Sequence, residues 1–348
     1  MRSFEPAMTS SNANLNYRRI LMRADGSSSI GMGHVVRSLV LARELLDLGA
    51  EVEVWGSSVA LGKCLAPSFS PVPIRDQKNP GGKPNELKQI LRLRPDLVIT
   101  DGYHFRRDFF HSLSEAGIPY AVIDDNVETE AENPVFVLNQ NPSAKELSYR
   151  ARFPNQPLFL GPRWALIRRE FRMLKLGEGH PYYDTFLSLG GSDIRGLTLH
   201  FARYLCRRHS SLAVAVGPAV PDRSTLVAKL RELPGVSLIE PAAAPAAMAK
   251  SRLLILGAGS SLLEANALAK KCIGLVVAEN QTAPARTAMS LGLVSAVLDI
   301  RVHKQSEVLE TMLSDAITAA AKQAAPTRKI RTEGANEMAI QVLFGPGS

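Results

Sequence analysis

The sequence predicts an α/β protein built from two open parallel sheets. Short, continuous apolar runs alternate with helical patterns in both halves, as expected for strands covered on both faces and joined by helical crossovers. The alternation begins again after a Pro- and Arg-rich stretch in mid-chain. Gly- and Ser-rich loops follow several apolar runs directly, where ligands meet the carboxyl ends of parallel strands. Together these observations describe two Rossmann-like domains facing a cleft.

In the first half the strands are expected at 19–23, 51–56, 97–100, 120–123 and 135–138, with helices at 34–48, 85–93 and 107–116 between them. In the second half strands are expected at 185–189, 212–216, 237–239, 253–256 and 272–277. The accompanying helices are expected at 194–208, 223–233, 245–250, 261–270 and 281–291. The run Gly-Glu-Gly-His-Pro at 177–181 breaks helical periodicity and places the boundary near 178. The domains are therefore expected at 19–178 and 179–348, with the last helix packing back on the first domain. Residues 1–18 are polar, carry no apolar core of a secretory signal, and read as a disordered extension.

At 348 residues the chain is long enough for two cores of ordinary size. Its 45% hydrophobic and 21% charged residues describe a globular protein, and no apolar run reaches the roughly 18–20 residues of a membrane span. Three isolated cysteines, Cys64, Cys206 and Cys272, argue for reduced thiols in a cytoplasmic chain and against a zinc site. The net charge of +8 is scattered over pairs such as Arg106–Arg107 and Lys270–Lys271, with no aromatic-interleaved stripe, so nucleic acid is not the expected partner.

Residues 20–37 carry the most telling local pattern: an apolar strand, a Gly/Ser loop and a helix start at His34. Gly31 and Gly33 allow a tight turn and close approach to a ligand. An imidazole at the positive end of a helix is biased towards the neutral form a general base needs. The same residues also fit a Gly-rich turn with an incidental capping histidine. Neither Walker A nor G-x-G-x-x-G is present, since Val36 holds the sixth position of the latter.

Two further loops open the second half. Ser188–Asp193, with Gly190, Gly191 and Ser192, can form an anion-binding nest; it can equally be a tight turn with Asp193 as N-cap. Gly257–Glu264 places Gly259, Ser260 and Ser261 at a helix start, as in many diphosphate sites. Ser261 and Glu264 also have the spacing of a capping box, and locally the two readings tie. In the first half Asp101–His104, Asp124–Asn126 and Asn139–Asn141 follow strands on the same edge, where polar ligand contacts are expected, though any one of them is usually just a turn. His111, His180, His200, His209 and His303 read as structural or solvated. No D-x-D occurs and no spacing suggests a metal, so no cofactor is expected.

Taken together these residues resemble the UDP-sugar hydrolases of pseudaminic acid biosynthesis and the related spore-coat polysaccharide proteins. The resemblance runs from about Arg19 to the C-terminus. It is carried by Arg23-Ala-Asp25, Gly31-Met-Gly-His34-Val-Val-Arg37, Asp101, Ile123-Asp-Asp125, Leu138-Asn-Gln-Asn141 and Leu160-Gly-Pro-Arg-Trp-Ala-Leu-Ile-Arg168 with Glu170-Phe171. Leu189-Gly-Gly-Ser-Asp193, Gly259-Ser-Ser261 with Glu264, and Asn280-Gln281 complete the ordered set.

The resemblance implies a GT-B fold in which water replaces the sugar acceptor of an inverting glycosyltransferase. It implies metal-independent hydrolysis of a UDP-linked diacetamido-trideoxy hexose, with His34 activating water. Ser260 and Ser261 would face the diphosphate and Glu264 the ribose. Asn280 and Gln281 would lie beside the leaving group or sugar. Asp25, Asp101 and Asn139 would line the sugar side, with Gly33, Arg37 and Asn141 also on the substrate. Met32 between the glycines, residues 76–83 and residues 299–304 have no clear counterpart in the family. A GT-B glycosyltransferase, a nucleotide-sugar 2-epimerase and a non-catalytic sugar-nucleotide binding module are the alternatives. Product analysis separates them.

Overall fold

The computed structural model describes residues 16–76, 84–174, 182–303, 305–326 and 330–345. Seven strands form the first sheet: β1 (Arg19–Ala24), β2 (Glu51–Gly56), β3 (Ile74–Asp76), β4 (Leu97–Asp101), β5 (Tyr120–Ile123), β6 (Val137–Asn139) and β7 (Leu158–Leu160). Their order is β3-β2-β1-β4-β5-β6-β7, all pairs parallel. The second sheet contains β8 (Tyr183–Ser188), β9 (Leu212–Ala215), β10 (Val236–Ile239), β11 (Ser251–Gly257), β12 (Lys271–Val276) and β13 (Ala296–Asp299). It runs β10-β9-β8-β11-β12-β13, again all parallel.

Strand alternation sends buried apolar side chains to both faces of each sheet. On β1, Ile20 and Met22 enter one core while Leu21 enters the opposite one. On β11, Leu254 and Leu256 divide in the same way from Leu253 and Ile255. The C-terminal helix Gly334–Phe344 packs on the helix Gly33–Asp47. Its Met338, Ala339, Val342 and Leu343 thereby join the core of the first sheet.

Several boundaries differ from those expected. The edge strands β3, β7 and β13 are short, and nothing in their few residues marks a strand apart from the neighbour that pairs with it. The helix expected at 194–208 is Thr198–Cys206. Gly196 has φ +64°, and the Asp193 carboxylate accepts the N–H groups of Leu197 and Thr198, so the helix starts there. The 17-residue helix Ser306–Lys322 closes the second sheet. Of the expected N-terminal extension, residues 1–15 lie outside the described residues. The Asn16 N–H donates to the Leu343 carbonyl, and Tyr17 packs on the first core. The expected boundary at 177–181 and most of the segment 76–83 also lie outside the described residues. No helix among the described residues is long and apolar enough to cross a membrane.

Candidate active site

In each sheet the strand order reverses beside one strand, and the loops there diverge to leave a crevice. In the first sheet that point is β1/β4, and in the second it is β8/β11. The loop after β1 leads to His34, and the loop after β4 carries Tyr103. The loop after β8 carries Gly190–Ser192, and that after β11 carries Gly259–Ser261. The loops after β1, β8 and β11 meet at a cavity of about 260 Å³ between the sheets, with the loop after β4 behind His34. Gly33, His34, Arg37, Asn141, Gly190, Gly191, Ser192, Gly259, Ser260, Ser261, Glu264, Asn280 and Gln281 all line it.

His34 lies in the first turn of the helix Gly33–Asp47 and is 7% exposed. Its Nδ1 is 2.6 Å from Asp101 Oδ1. Arg37 Nη2 donates to the same oxygen at 2.6 Å, which brings it within 3.1 Å of Nδ1. Two donors on one carboxylate oxygen account for that approach. The shorter contact assigns the proton to Nδ1 and leaves the Nε2 lone pair available. No other described residue hydrogen-bonds to Nε2.

Arg37 lies one helical turn beyond His34, on the same face. Its guanidinium also donates to Asp101 Oδ2 at 2.6 Å and to both Asp125 oxygens at 2.8 and 3.0 Å. Asp125 further accepts from Asn141 Nδ2 (2.8 Å) and the Tyr103 hydroxyl (2.9 Å). The Tyr103 ring stands edge-on to His34, with centroids 5.1 Å apart. Asn280, from the opposite side of the cleft, donates to the Tyr103 hydroxyl at 3.1 Å.

Burial alone would raise the pKa of both carboxyls. The Arg37 charge and the hydrogen bonds to it, with His34 beside them, outweigh burial and hold Asp101 and Asp125 below the usual carboxylate range. Burial and the Asp125 charge push the Tyr103 phenol up, so it remains a donor. Two ionised carboxylates against one guanidinium leave the cluster one negative charge with His34 neutral.

On the second side, a Cβ at Gly191 would stand 2.5 Å from Met32 Cβ, so only glycine lets Met32 reach across. A Cβ at Gly217 would meet the Gly191 carbonyl oxygen at 2.3 Å. Ser261 Oγ donates to the Gly257 carbonyl, and no capping box with Glu264 forms. Glu264 is instead held in a bidentate pair by Arg168, at 2.8 and 3.0 Å. Among the described residues, no group of three or more His, Cys, Asp or Glu side chains is arranged to hold a metal ion.

Three expected substrate contacts need correction. Asp25 is 1% exposed and does not line the cavity; it pairs with Arg23 and His104 and accepts the Ser57 N–H. Asp101 is fully buried behind His34 and acts on the imidazole, not on a ligand. Asn139 is also fully buried; it donates to the Asp125 carbonyl and the Tyr149 hydroxyl, and its own oxygen accepts the Asn141 N–H. Arg37 reaches the cavity wall, but its guanidinium is held by two aspartates. Asp125, Tyr103 and Arg168 stand in the strand-end clusters and motifs noted in the sequence, but no site role was assigned to any of them there. Their sequence signal was present but weak: a buried arginine one turn from a histidine requires carboxylate partners at neighbouring strand ends.

No family model matches the chain. It is 27% identical over 215 residues to the UDP-2,4-diacetamido-2,4,6-trideoxy-beta-L-altropyranose hydrolase of Campylobacter jejuni, covering 60% of this chain and 73% of that protein. It is 26% identical over 213 residues to the uncharacterized protein MJ1062 of Methanocaldococcus jannaschii, covering 58% of this chain but 43% of that one. Among solved structures, a UDP-GlcNAc 2-epimerase of M. jannaschii, in complex with UDP-GlcNAc and UDP, superposes with a TM-score of 0.63 at 12% identity. That match covers 92% of this chain and 98% of the other. MurG of Acinetobacter baumannii gives 0.56 at 15% identity, over 93% and 99% of the two chains. The chain thus carries the GT-B fold and is similar in sequence to a UDP-diacetamido-trideoxy-altropyranose hydrolase.

Proposed function

We propose that the protein hydrolyses a UDP-linked diacetamido-trideoxy hexose to the free sugar and UDP, without a metal ion. The observation that carries this reading is His34 on the cavity wall, its Nδ1 held by the buried Asp101 and its Nε2 unbonded within the described residues. Nε2 takes a proton from water as the water oxygen bonds to the anomeric carbon. The bond from that carbon to the diphosphate oxygen breaks, and its electron pair leaves with UDP. The Asp101–Asp125–Arg37 cluster stabilises the imidazolium through this step.

The nucleotide occupies the second half of the cleft. Gly190–Ser192 and Gly259–Ser261 offer N–H groups and hydroxyls to the diphosphate, and Glu264 accepts from the ribose. Among the described residues, the arginines on the cavity wall, Arg37 and Arg168, already hold carboxylates. Backbone N–H groups and hydroxyls therefore carry the leaving-group charge. The product would feed a sialic-acid-type synthase making a pseudaminic-like nonulosonic acid. The sequence relative supports the hydrolase reading, and the fold supports a sugar-nucleotide site. Incubation with UDP-linked diacetamido-trideoxy hexoses tests it: UDP and free sugar should appear in equal amounts with no acceptor present. A disaccharide product would indicate transfer, an epimer would indicate epimerisation, and UDP binding without turnover would indicate a binding module.

A further inference from the structure

We propose that Arg168 is a positioning residue for the nucleotide half of the site, fixing the Glu264 carboxylate for a ligand diol. The proposal rests on the reading of that half as a nucleoside diphosphate site. Arg168 comes from the segment that joins the two sheets, is 8% exposed, and lines the cavity beside Glu264. All three of its nitrogens have defined acceptors. Nε and Nη2 donate to the two Glu264 oxygens, and Nη1 donates to the Leu65 carbonyl of the first half at 2.9 Å.

A carboxylate has about four acceptor sites. The guanidinium takes one on each oxygen, so each oxygen keeps a second for a hydroxyl. The fork also sets the plane of the carboxylate and offsets its charge, which would otherwise repel a bound polyanion. Without the fork, Glu264 has an alternative at hand: it sits at capping-box distance in sequence from Ser261 and could turn to its own helix start. Arg168 holds it away from that alternative. Through Leu65 it also ties the carboxylate to the opposite half of the cleft.

Calorimetric titration with UDP and with 2′,3′-dideoxy-UDP tests this, run on the wild type, Arg168→Gln and Arg168→Lys, each with a melting curve. The wild type should prefer UDP by on the order of 10-fold or more, the contribution of a hydrogen bond to a charged group. Both variants should lose most of that preference while binding the dideoxy nucleotide about as the wild type does. Arg168→Lys keeps the charge without the planar fork, so it provides the reading if Arg168→Gln fails to fold. A folded variant that retains the wild-type preference overturns the positioning role. A wild type that binds UDP but ignores the ribose hydroxyls overturns it too, through Glu264. A wild type that binds neither nucleotide refutes the nucleotide reading itself.

Discussion

Replacing Asp101 by asparagine probes the chemistry without touching the cavity wall. Four contacts converge on this carboxylate: His34 Nδ1, Arg37 Nε and Arg37 Nη2, each at 2.6 Å, and Ser38 Oγ at 3.3 Å. All four come from donors, and an asparagine offers one oxygen for them. If its amide nitrogen faces His34, Nδ1 must accept, the ring proton moves to Nε2, and the base is lost. If its nitrogen faces the other way, it opposes the Arg37 Nε donor. The cluster charge also rises from minus one to zero, removing the compensation that the imidazolium would receive. The same substitution behind a catalytic histidine in a serine protease lowers kcat by about 10⁴. We expect a loss on the order of 10³–10⁴-fold here, or about 4–5 kcal/mol in the barrier. UDP affinity should stay within a few-fold, because Asp101 is fully buried and does not line the cavity. Arg37 keeps Asp125 as a partner, so the chain should stay folded at a cost below about 3 kcal/mol. The assay is UDP release from the proposed substrate, with UDP calorimetry and a melting curve on the same sample. Near-wild-type kcat in a folded Asp101→Asn variant would refute the reasoning.

His34→Ala should abolish turnover, a loss of about 10²–10⁴-fold, while calorimetry finds UDP affinity nearly unchanged. Activity should survive excess EDTA; inhibition reversed by magnesium or manganese would contradict the metal-free leaving group. Gly217→Ala should cost about 1–3 kcal/mol by overpacking against the Gly191 carbonyl, read as a lowered urea midpoint. The folded-state pKa values of Asp101 and Asp125 are lowered, so the unfolded chain binds more protons as pH falls. Their stabilisation is complete above the unfolded value near 3.9 and is lost as pH drops below it. Urea midpoints should therefore stay level from pH 7 to about 5 and fall only as the pH drops below about 4, and Asp125→Asn should flatten that fall.

Much of the architecture was legible because it depends on local patterns. The runs at β1, β4 and β5 are largely apolar segments bounded by polar loops, and burial on both faces requires this. β3, β7 and β13 were not legible, because three or four residues at a sheet edge acquire their strand character from the neighbour that pairs with them. The Gly-rich loops also stood out, since close approach needs glycine: Gly191 admits Met32, and no larger residue would. The directions of individual side chains were less accessible. Asp101 and Asn139 end strands at the correct edge and Asp25 directly follows one, but each is turned inward, onto His34, Tyr149 and Arg23 respectively. Whether a strand-end carboxylate meets ligand or protein depends on which cations the fold places beside it. Arg37 and Arg168 were visible in the sequence, but their partners were far along the chain. Glu264 shows the same limit: its local spacing suggested a capping box, and a residue 96 positions away holds it instead.

In the proposed reaction water attacks the anomeric carbon and UDP leaves intact. Turnover in ¹⁸O-labelled water, followed by mass spectrometry of the released UDP, tests it directly. UDP should form in equal amount with free sugar, without acceptor or added metal, and carry no ¹⁸O. Labelled UDP would place the attack at phosphorus, and no UDP release without a sugar acceptor would make the protein a transferase; either result would contradict it.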